Sequence, residues 1–265
     1  ATTVPSSTGA NLYGWLGAIP GLKKWIGERE IQKVSDNAYS IANEKFELTV
    51  GVPRDDIEDD NYGVYTPMME AMGESTALHK DERVSEAVKN GFTEKCYDGQ
   101  PFFSERHQVG SITYSNKGDA KLDAESFQAA RQSIMSLKNE KGQPLNIVPN
   151  VLLVPPALEK EARMILEAEL VNGTSNINKG LAEVVVWSQL ADKPTQWYLL
   201  CTKRSLKPFI FQERRKAKFT AMTRETDENV FMRSEYLYGV DARDGVGYGF
   251  WQMAYGSTGT ASSMG

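Results

Sequence analysis

Apolar residues recur at helical spacing along residues 66–90, which predicts one long helix. A helix of this kind buries one side and leaves its charged side in solvent. Thr66 followed by Pro67 is a favoured start, and Gly91 is expected to end the helix in the left-handed conformation. The buried stripe is read as core packing rather than as a cofactor site, and it includes Met69, Met72, Val84 and Val88.

Alternation of apolar and polar residues predicts a strand over residues 39–52. The apolar positions change phase near Asn43, which indicates a β-bulge. We expect this strand to pair with residues 25–34 as a long hairpin, because residues 35–38 have turn chemistry. A two-stranded hairpin is marginally stable alone, so this one is expected to lie on another chain. The apolar residues of the strand are Tyr39, Ile41, Phe46, Leu48, Val50 and Val52.

Residues 1–24 are rich in Gly, Pro and Ser and lack a steady hydrophobic period. They nevertheless carry large apolar side chains, which a disordered tail would lack. We therefore expect an extended arm that buries these side chains against something else, such as a neighbouring subunit. They include Leu12, Tyr13, Trp15, Leu16, Ile19 and Leu22.

The remaining sequence mixes helices with antiparallel strands, which predicts the α+β class. Helices are expected at 124–138 and 157–169, and residues 110–123 read as a polar loop. Strands are expected at 151–154, 182–187, 197–201, 208–212, 230–238 and 248–254. Residues 257–265 read as a flexible tail.

The composition allows one large globular domain and argues against nucleic-acid binding over the whole surface. The chain has 265 residues, 40% of them hydrophobic, and a formal net charge of −5. A basic stretch at 203–218 is interpreted as solvated loop and strand faces, with a local contact to nucleic acid or an acidic partner as the alternative. No apolar run approaches the roughly 20 residues that a membrane-spanning helix needs.

The stretch CYDGQPFFSERH is the strongest candidate for catalysis. Cys96 could act as a nucleophile if His107 reached it, with Asp98 orienting the imidazole. Nothing in the stretch would lower the thiol pKa, however, and Asp-Gly followed by Pro is turn chemistry. We interpret the stretch as a structural corner and keep a cysteine hydrolase as a remote alternative. His79 is interpreted as a surface residue of the long helix.

The acidic stretch at 55–60 could bind calcium, but it does not fit the EF-hand pattern. Asn61 stands where the turn glycine belongs and Pro67 where the bidentate glutamate belongs. Acidic residues at a helix start are favoured by the helix dipole. Cys96 and Cys201 lack zinc-finger spacing. We therefore predict no catalytic, cofactor-binding or metal-binding residue.

Six motifs, in order along nearly the whole chain, resemble the major head subunits of Mu-like phages and prophages. No single motif is decisive, but their number and order are specific. They are YGWLG with WIGER, FELTVGVPRDDIEDDNYGVY, CYDGQPFF, WYLL, LKPFIFQER and GYGFWQMAYGST.

The resemblance implies the Hong Kong 97 bacteriophage-type capsid fold. Residues 1–24 would be the N-terminal arm and 25–53 the hairpin called the E-loop. The peripheral domain would comprise 54–124 and 216–256, with the long helix as its spine. The axial domain would be 125–215 and the flexible tail 257–265.

The resemblance also implies a structural subunit that self-assembles into an icosahedral head shell around phage DNA. The expected partners are copies of the chain in pentamers and hexamers, portal, scaffold and decoration proteins, and double-stranded DNA bound non-specifically. The expected location is the virion, after assembly in the host cytoplasm, with no enzymatic role, cofactor or membrane. An encapsulin-like compartment shell is the alternative. The expected contacts between subunits are Trp15, Trp25, Ile41, Phe46, Leu48 and Val50.

Overall fold

The computed structural model describes residues 1–13, 39–59, 63, 65–171 and 173–260. The strands are β1 Thr2–Pro5, β2 Ala10–Leu12, β3 Ser40–Ala42, β4 Glu44–Pro53, β5 His107–Val109, β6 Ile112–Tyr114, β7 Lys117–Gly118, β8 Val151–Val154, β9 Leu170–Val171, β10 Thr174–Ser175, β11 Glu183–Val186, β12 Trp197–Leu200, β13 Phe209–Met222, β14 Glu235–Tyr248 and β15 Ala254–Ser257. The helices are α1 Arg54–Glu58, α2 Tyr65–Asn90, α3 Ala124–Met135, α4 Glu159–Leu166 and α5 Glu228–Arg233, with 3-10 turns at Pro156–Leu158, Ser188–Leu190 and Trp251–Met253. This mixture confirms the α+β class.

The first large sheet has the strand order β1-β13-β14-β4 and is built on the long β13–β14 hairpin. β4 extends it antiparallel to β14, and β1 pairs in parallel with residues 210–213. The spine helix α2 packs on this sheet through its predicted apolar stripe. The Tyr248 hydroxyl donates a 3.0 Å hydrogen bond to the Ala87 carbonyl and so fixes the helix on the sheet.

The second large sheet has the order β11-β8-β12-β15-β7 and is covered by α3 and α4. β8 was predicted from four consecutive apolar residues, and its bounds are confirmed. α3 begins where predicted because Asp123 and Ser126 form a capping box. Phe127 on α3 and Leu152 on β8 are fully buried in the shared core. Among the described helices, none has the length and apolar run needed to cross a membrane.

The predicted change of phase at Asn43 is confirmed, but it is not the expected β-bulge. β3 ends at Ala42 and pairs with β2, whereas β4 begins at Glu44 and pairs with β14. The Asn43 backbone N–H donates to the Gly9 carbonyl at 2.9 Å, and its side-chain amide donates to Ser6 Oγ and the Thr8 carbonyl. These partners lie on the N-terminal segment, so the Asn43 backbone N–H hydrogen-bonds to that segment rather than to a neighbouring strand of the sheet.

Gly91 does not adopt the expected left-handed conformation. Its φ is not positive. There is no room for a side chain at this position, because a Cβ there would lie 2.8 Å from two ring carbons of Phe103. The Phe103 N–H donates to the Gly91 carbonyl at 2.8 Å. Glycine at this position therefore permits close packing after the helix rather than a special backbone angle.

The strand predicted at 230–238 is wrong in its first half, which is helix α5. The buried Asn229 side chain donates to the carbonyls of Met222 and Glu235, so it joins the ends of β13 and β14 through the helix. Ser234 then takes the left-handed conformation that redirects the chain into β14. The strand predicted at 248–254 is also wrong, because residues 251–253 form a 3-10 turn.

The N-terminal segment lies against its own chain over residues 1–13. Tyr13 is 3% exposed, and its hydroxyl donates to the buried Gln212 side chain at 2.9 Å. The predicted hairpin arm 25–34 and turn 35–38 lie outside the described residues. The described partner of β4 is β14.

Two expected boundaries also differ from the described elements. The expected domain boundary at 215/216 falls inside β13. The expected tail begins at residue 257, but Ser257 is fully buried at the end of β15 and its hydroxyl donates to the Ala120 carbonyl at 2.6 Å.

Candidate functional site

Cys96, Asp98 and His107 meet in a tight corner between the end of α2 and strand β5. The Asp98 carboxylate is the centre of this corner. Its Oδ1 accepts from the Cys96 thiol at 3.2 Å and from the Gln100 N–H at 3.0 Å. Its Oδ2 lies 2.6 Å from His107 Nδ1. Gly99, at φ +79°, makes the turn that folds the carboxylate back onto both partners.

Both ring nitrogens of His107 face oxygen atoms. Nε2 lies 3.1 Å from Asn116 Oδ1 and 3.3 Å from the Phe102 carbonyl. The orientation of Asn116 is fixed, because its amide nitrogen donates to three carbonyls while Oδ1 accepts from the Ser104 N–H. Nε2 therefore donates, and Nδ1 faces the Asp98 carboxylate.

The corner is unsuited to thiol catalysis. Burial, and then the negative charge of Asp98, raise the pKa of the Cys96 thiol far above its ordinary range. Burial would also raise the pKa of Asp98, but its hydrogen bond and charge interaction with His107 outweigh that and lower it. The Cys96 thiol and His107 Nδ1 each hydrogen-bond to Asp98, so both groups are already engaged with the carboxylate. His107 is fully buried and stacks on Trp251 at 4.1 Å.

His79 is not a simple surface residue, contrary to the sequence-based interpretation. Its Nε2 lies 2.8 Å from Asp244 Oδ2, and the side chain of Asp244 is only 3% exposed. The Phe46 ring packs on the His79 ring with 4.5 Å between centroids, and the Arg83 guanidinium lies 4.7 Å above the same Phe46 ring. These contacts fasten β4 and β14 to the spine helix.

The predicted contact residues fall into three groups. Trp15 and Trp25 lie outside the described residues. Ile41 is 3% exposed and packs over the glycines of β14, so the expectation of a contact with a neighbour is not supported for its side chain. The other three form what we call the β4 face: Phe46 and Val50, half-buried, and Leu48, 38% exposed.

The β4 face borders an open groove beside α2. The groove holds about 240 Å³ and is lined by residues of β4, α2, β13 and β14. Leu48 and Thr76 lie on its two sides. The lining mixes apolar and polar side chains, and the volume is enough for one or two side chains.

A second exposed apolar surface escaped the sequence analysis. We call it the hairpin tip. Phe231 is 80% exposed and Met232 69% exposed on α5, and Phe219 and Met222 are exposed near the end of β13, the strand that precedes α5. This surface was missed because the sequence predicted a strand over residues 230–238. The available signal was Asp227-Glu228 before a short apolar run, which is typical of a helix start.

The acidic stretch provides the first turn of α1, as the dipole argument predicts. Asp55 and Asp56 lie in that turn and are exposed, and Arg54 pairs with Glu58 at 2.6 Å. Asp60 and Asn61 lie outside the described residues. Within the described ranges, three metal-ligating side chains converge only at Cys96, Asp98 and His107.

Comparison with known proteins gives a match along almost the whole chain. The family described as "Mu-like prophage major head subunit gpT" matches residues 1–121, 112–190 and 187–263. The major capsid protein of Escherichia phage Mu is 39% identical over 254 residues, 96% of this chain. The Mu-like prophage FluMu major head subunit of Haemophilus influenzae is 36% identical over 255 residues, also 96%. The chain spans 63% of the length of each of these relatives.

Solved structures agree with these sequence matches. A chain from the procapsid of bacteriophage JBD30 aligns with a TM-score of 0.59 at 37% identity, covering 99% of this chain and 67% of that chain. The capsid of the same phage aligns with a TM-score of 0.62 at 30% identity, over 72% of this chain and 89% of that chain. The capsid of cyanophage P-SCSP1u aligns with a TM-score of 0.61 at 12% identity, over 97% of this chain and 85% of that chain, which shows a shared fold.

Proposed function

The chain belongs to the family of Mu-like prophage major head subunits, and we propose that it is a structural subunit of a phage head shell. The observation that carries this proposal is a family match that runs through both large sheets and the spine helix. The predicted Hong Kong 97-type fold is confirmed by the alignment with phage capsid chains at 30% identity or more.

Assembly is the proposed mechanism. Each subunit acts as a tile whose exposed apolar surfaces are covered by neighbouring copies. The β4 face and the hairpin tip are the surfaces of the described residues that we assign to such contacts. They lie on one sheet, because Val240 pairs with both Leu48 and Phe219. Heterologous contacts between this sheet and another part of a neighbouring copy can close into rings and then a shell. Pentamers and hexamers of this tile would build the head.

The proposed partners beyond other copies are portal, scaffold and decoration proteins and the packaged double-stranded DNA. The net charge of −5 suits a container that does not grip DNA along its whole inner surface. The proposed location is the virion, following assembly in the host cytoplasm.

The two rival functions are less well supported. An encapsulin-like shell would share the fold, but the sequence relatives at 36–39% identity are a phage capsid protein and a prophage head subunit. A cysteine hydrolase would need an accessible thiol next to a base, whereas Cys96 is buried and hydrogen-bonded to Asp98. A Cys96→Ala chain that still forms shells would contradict the hydrolase directly.

Electron microscopy of the purified chain, alone and with its neighbouring gene products, tests the proposal. We expect closed shells of regular size with five-fold and six-fold capsomers. A chain that remains monomeric or dimeric in every mixture would overturn it.

Surface variants then locate the contacts. Leu48→Asp on the β4 face and Phe231→Asp on the hairpin tip should abolish shells while leaving the free energy of unfolding of the subunit within about 0.5 kcal/mol of the parent. Leu78→Asp is the control, because Leu78 is 48% exposed on α2 and belongs to neither surface. Normal shells from both test variants would remove these two surfaces from the proposed mechanism.

A further inference from the structure

We propose that Cys96, Asp98 and His107 form a binding site for one zinc ion. A thiolate, a carboxylate and an imidazole nitrogen are ligands that zinc accepts in proteins. One potential ligand atom from each of the three residues lies within 4.8 Å of the others. The inference goes beyond the proposed role in a shell.

The spacing of the three ligand atoms is close to what a tetrahedral ion requires. Metal–ligand bonds of about 2.0–2.3 Å place neighbouring ligand atoms roughly 3.3–3.8 Å apart. Cys96 Sγ lies 3.2 Å from Asp98 Oδ1, whereas His107 Nδ1 lies 2.6 Å from the other carboxylate oxygen, Oδ2. The separation between His107 and Asp98 therefore has to open by about 1 Å to reach the tetrahedral spacing.

The surroundings of His107 fix which nitrogen would bind the metal. Nε2 is held as a donor by Asn116 Oδ1 and the Phe102 carbonyl. A hydrogen bond of this kind from the far nitrogen orients metal-binding histidines and sets their tautomer. Nδ1 is thereby left facing Asp98, and the ring is held flat against Trp251. The contacts that orient a metal-binding imidazole are already in place.

The occupied corner would be electrically neutral. Zinc binds the deprotonated forms of its ligands, so binding would release the proton of the Cys96 thiol and any proton on His107 Nδ1. A thiolate, a carboxylate, a neutral imidazole and Zn²⁺ then sum to zero. A neutral site avoids the desolvation cost that an unbalanced ion would bring.

The fourth ligand position lies on the side of Asp98. Cys96 and His107 are 4% and 0% exposed, whereas 16% of the Asp98 side chain reaches solvent. Water or the second carboxylate oxygen would complete the coordination. The ion would then tie the end of the spine helix to β5, and through Trp251 to the segment before β15, which makes its role structural.

The first test uses the unaltered chain and its zinc content. Inductively coupled plasma mass spectrometry of the protein purified without chelator should give one zinc per chain. Removing it with a chelator should lower the Tm by about 5 °C or more, and adding zinc alone should restore it. A pH-indicator titration should register at least one proton released per zinc bound, from the Cys96 thiol.

The second test identifies the ligands. Cobalt added to the chelator-treated chain should produce a thiolate-to-cobalt charge-transfer absorption. Cys96→Ser should remove that absorption. Cys201→Ser should keep it, because Cys201 is equally buried but belongs to no group of metal-ligating side chains among the described residues. His79→Gln is the control for loss of a histidine and should also keep the absorption, because His79 pairs with Asp244 and lies outside the corner.

Two outcomes would overturn the proposal. One is a chelator-treated chain whose Tm and absorption do not change with excess zinc or cobalt; the corner is then held by hydrogen bonds alone. The other is an absorption that survives Cys96→Ser, which would place the ion elsewhere. Neither readout depends on shell formation, so failure here is distinct from failure of the proposed function.

Discussion

His79 Nε2 on the spine helix lies 2.8 Å from Asp244 Oδ2 on β14, although the two residues are 165 positions apart. Asp244 is almost fully buried, so its carboxylate has few alternatives to this partner. Arg83 Nε lies 3.7 Å from the other carboxylate oxygen and its NH2 group pairs with Glu44 on β4 at 2.5 Å. The His79–Asp244 pair therefore joins the spine helix to β14, and the Arg83–Glu44 pair joins it to β4.

Asp244→Asn is expected to lower the free energy of unfolding by roughly 1.5–3 kcal/mol, the range for losing a hydrogen bond to a charged group. Urea denaturation followed by circular dichroism measures it. Asp241→Asn is the control, because Asp241 pairs with Arg215 at 2.6 Å on the surface and should cost less than about 1 kcal/mol. Equal losses of unfolding free energy in the two variants would contradict a larger contribution from the buried His79–Asp244 pair.

Gly91→Ala and Gly73→Ala should act in opposite directions. A Cβ at Gly91 would lie 2.8 Å from the Phe103 ring, so the added methyl group should cost about 1–3 kcal/mol through overpacking. Gly73 lies inside α2 with nothing within 4 Å of an added Cβ, so alanine should stabilise by about 0.5–1 kcal/mol. Thermal unfolding of both variants tests this. A stabilised Gly91→Ala would mean that Phe103 can move aside.

Stability should fall in alkaline solution. Burial raises the pKa of Tyr39 from its usual value of 10.0 to about 12, and burial likewise raises the pKa values of Tyr198 and Tyr248. Below pH 10 these tyrosines hold their protons in both states. Between about pH 10 and 12 only the unfolded state releases the Tyr39 proton, so the free energy of unfolding falls by up to about 1.4 kcal/mol per pH unit for each such group.

Tyr39→Phe should make that alkaline decline shallower, as measured by urea denaturation at a series of pH values. The variant also loses the hydrogen bond that the Tyr39 hydroxyl accepts from the Tyr248 N–H at 2.9 Å, so the slope and not the absolute stability is compared. Tyr236→Phe, whose hydroxyl lies 3.3 Å from the exposed Glu58 side chain, is the control. An unchanged slope in Tyr39→Phe would show that Tyr39 is not a cause of the alkaline loss of stability.

Gln212→Ala should release the N-terminal segment. Gln212 is fully buried; its amide oxygen accepts from the Tyr13 hydroxyl, and its amide nitrogen donates to the Ile41 carbonyl and to Asn43 Oδ1. Truncation leaves these groups without their partner, a cost of about 1–3 kcal/mol. Limited proteolysis with mass spectrometry should show faster cleavage within residues 1–13. The exposed Gln108→Ala is the control, and identical cleavage patterns would refute the role of Gln212.

Local features of the sequence predicted the elements whose cause is also local. The apolar stripe of α2 and the four apolar residues of β8 are each patterns of residues close together in the sequence. The hydrophobic period reports burial directly, so these elements were found nearly to the residue. The run of motifs indicated the family, although no single motif would have done so.

Elements with a tertiary cause were missed or misread. Helix α5 exists because the Asn229 side chain bridges the ends of two strands, and Gly91 is glycine because Phe103 packs against it. Neither partner is visible in the local pattern. A strand preference at Val230 and Phe231 was therefore overridden by contacts at positions that periodicity does not register.

The sequence by itself determined the class, the long spine helix, the buried strand and the family. Only the tertiary structure decided that Cys96, Asp98 and His107 converge, and that His79 meets Asp244. The physical reason is that the hydrophobic period shows which side chains of an element are buried, but not which side chains they contact. That choice depends on the register of β14 against β4 and on how α2 crosses the sheet, which join residues far apart in the chain.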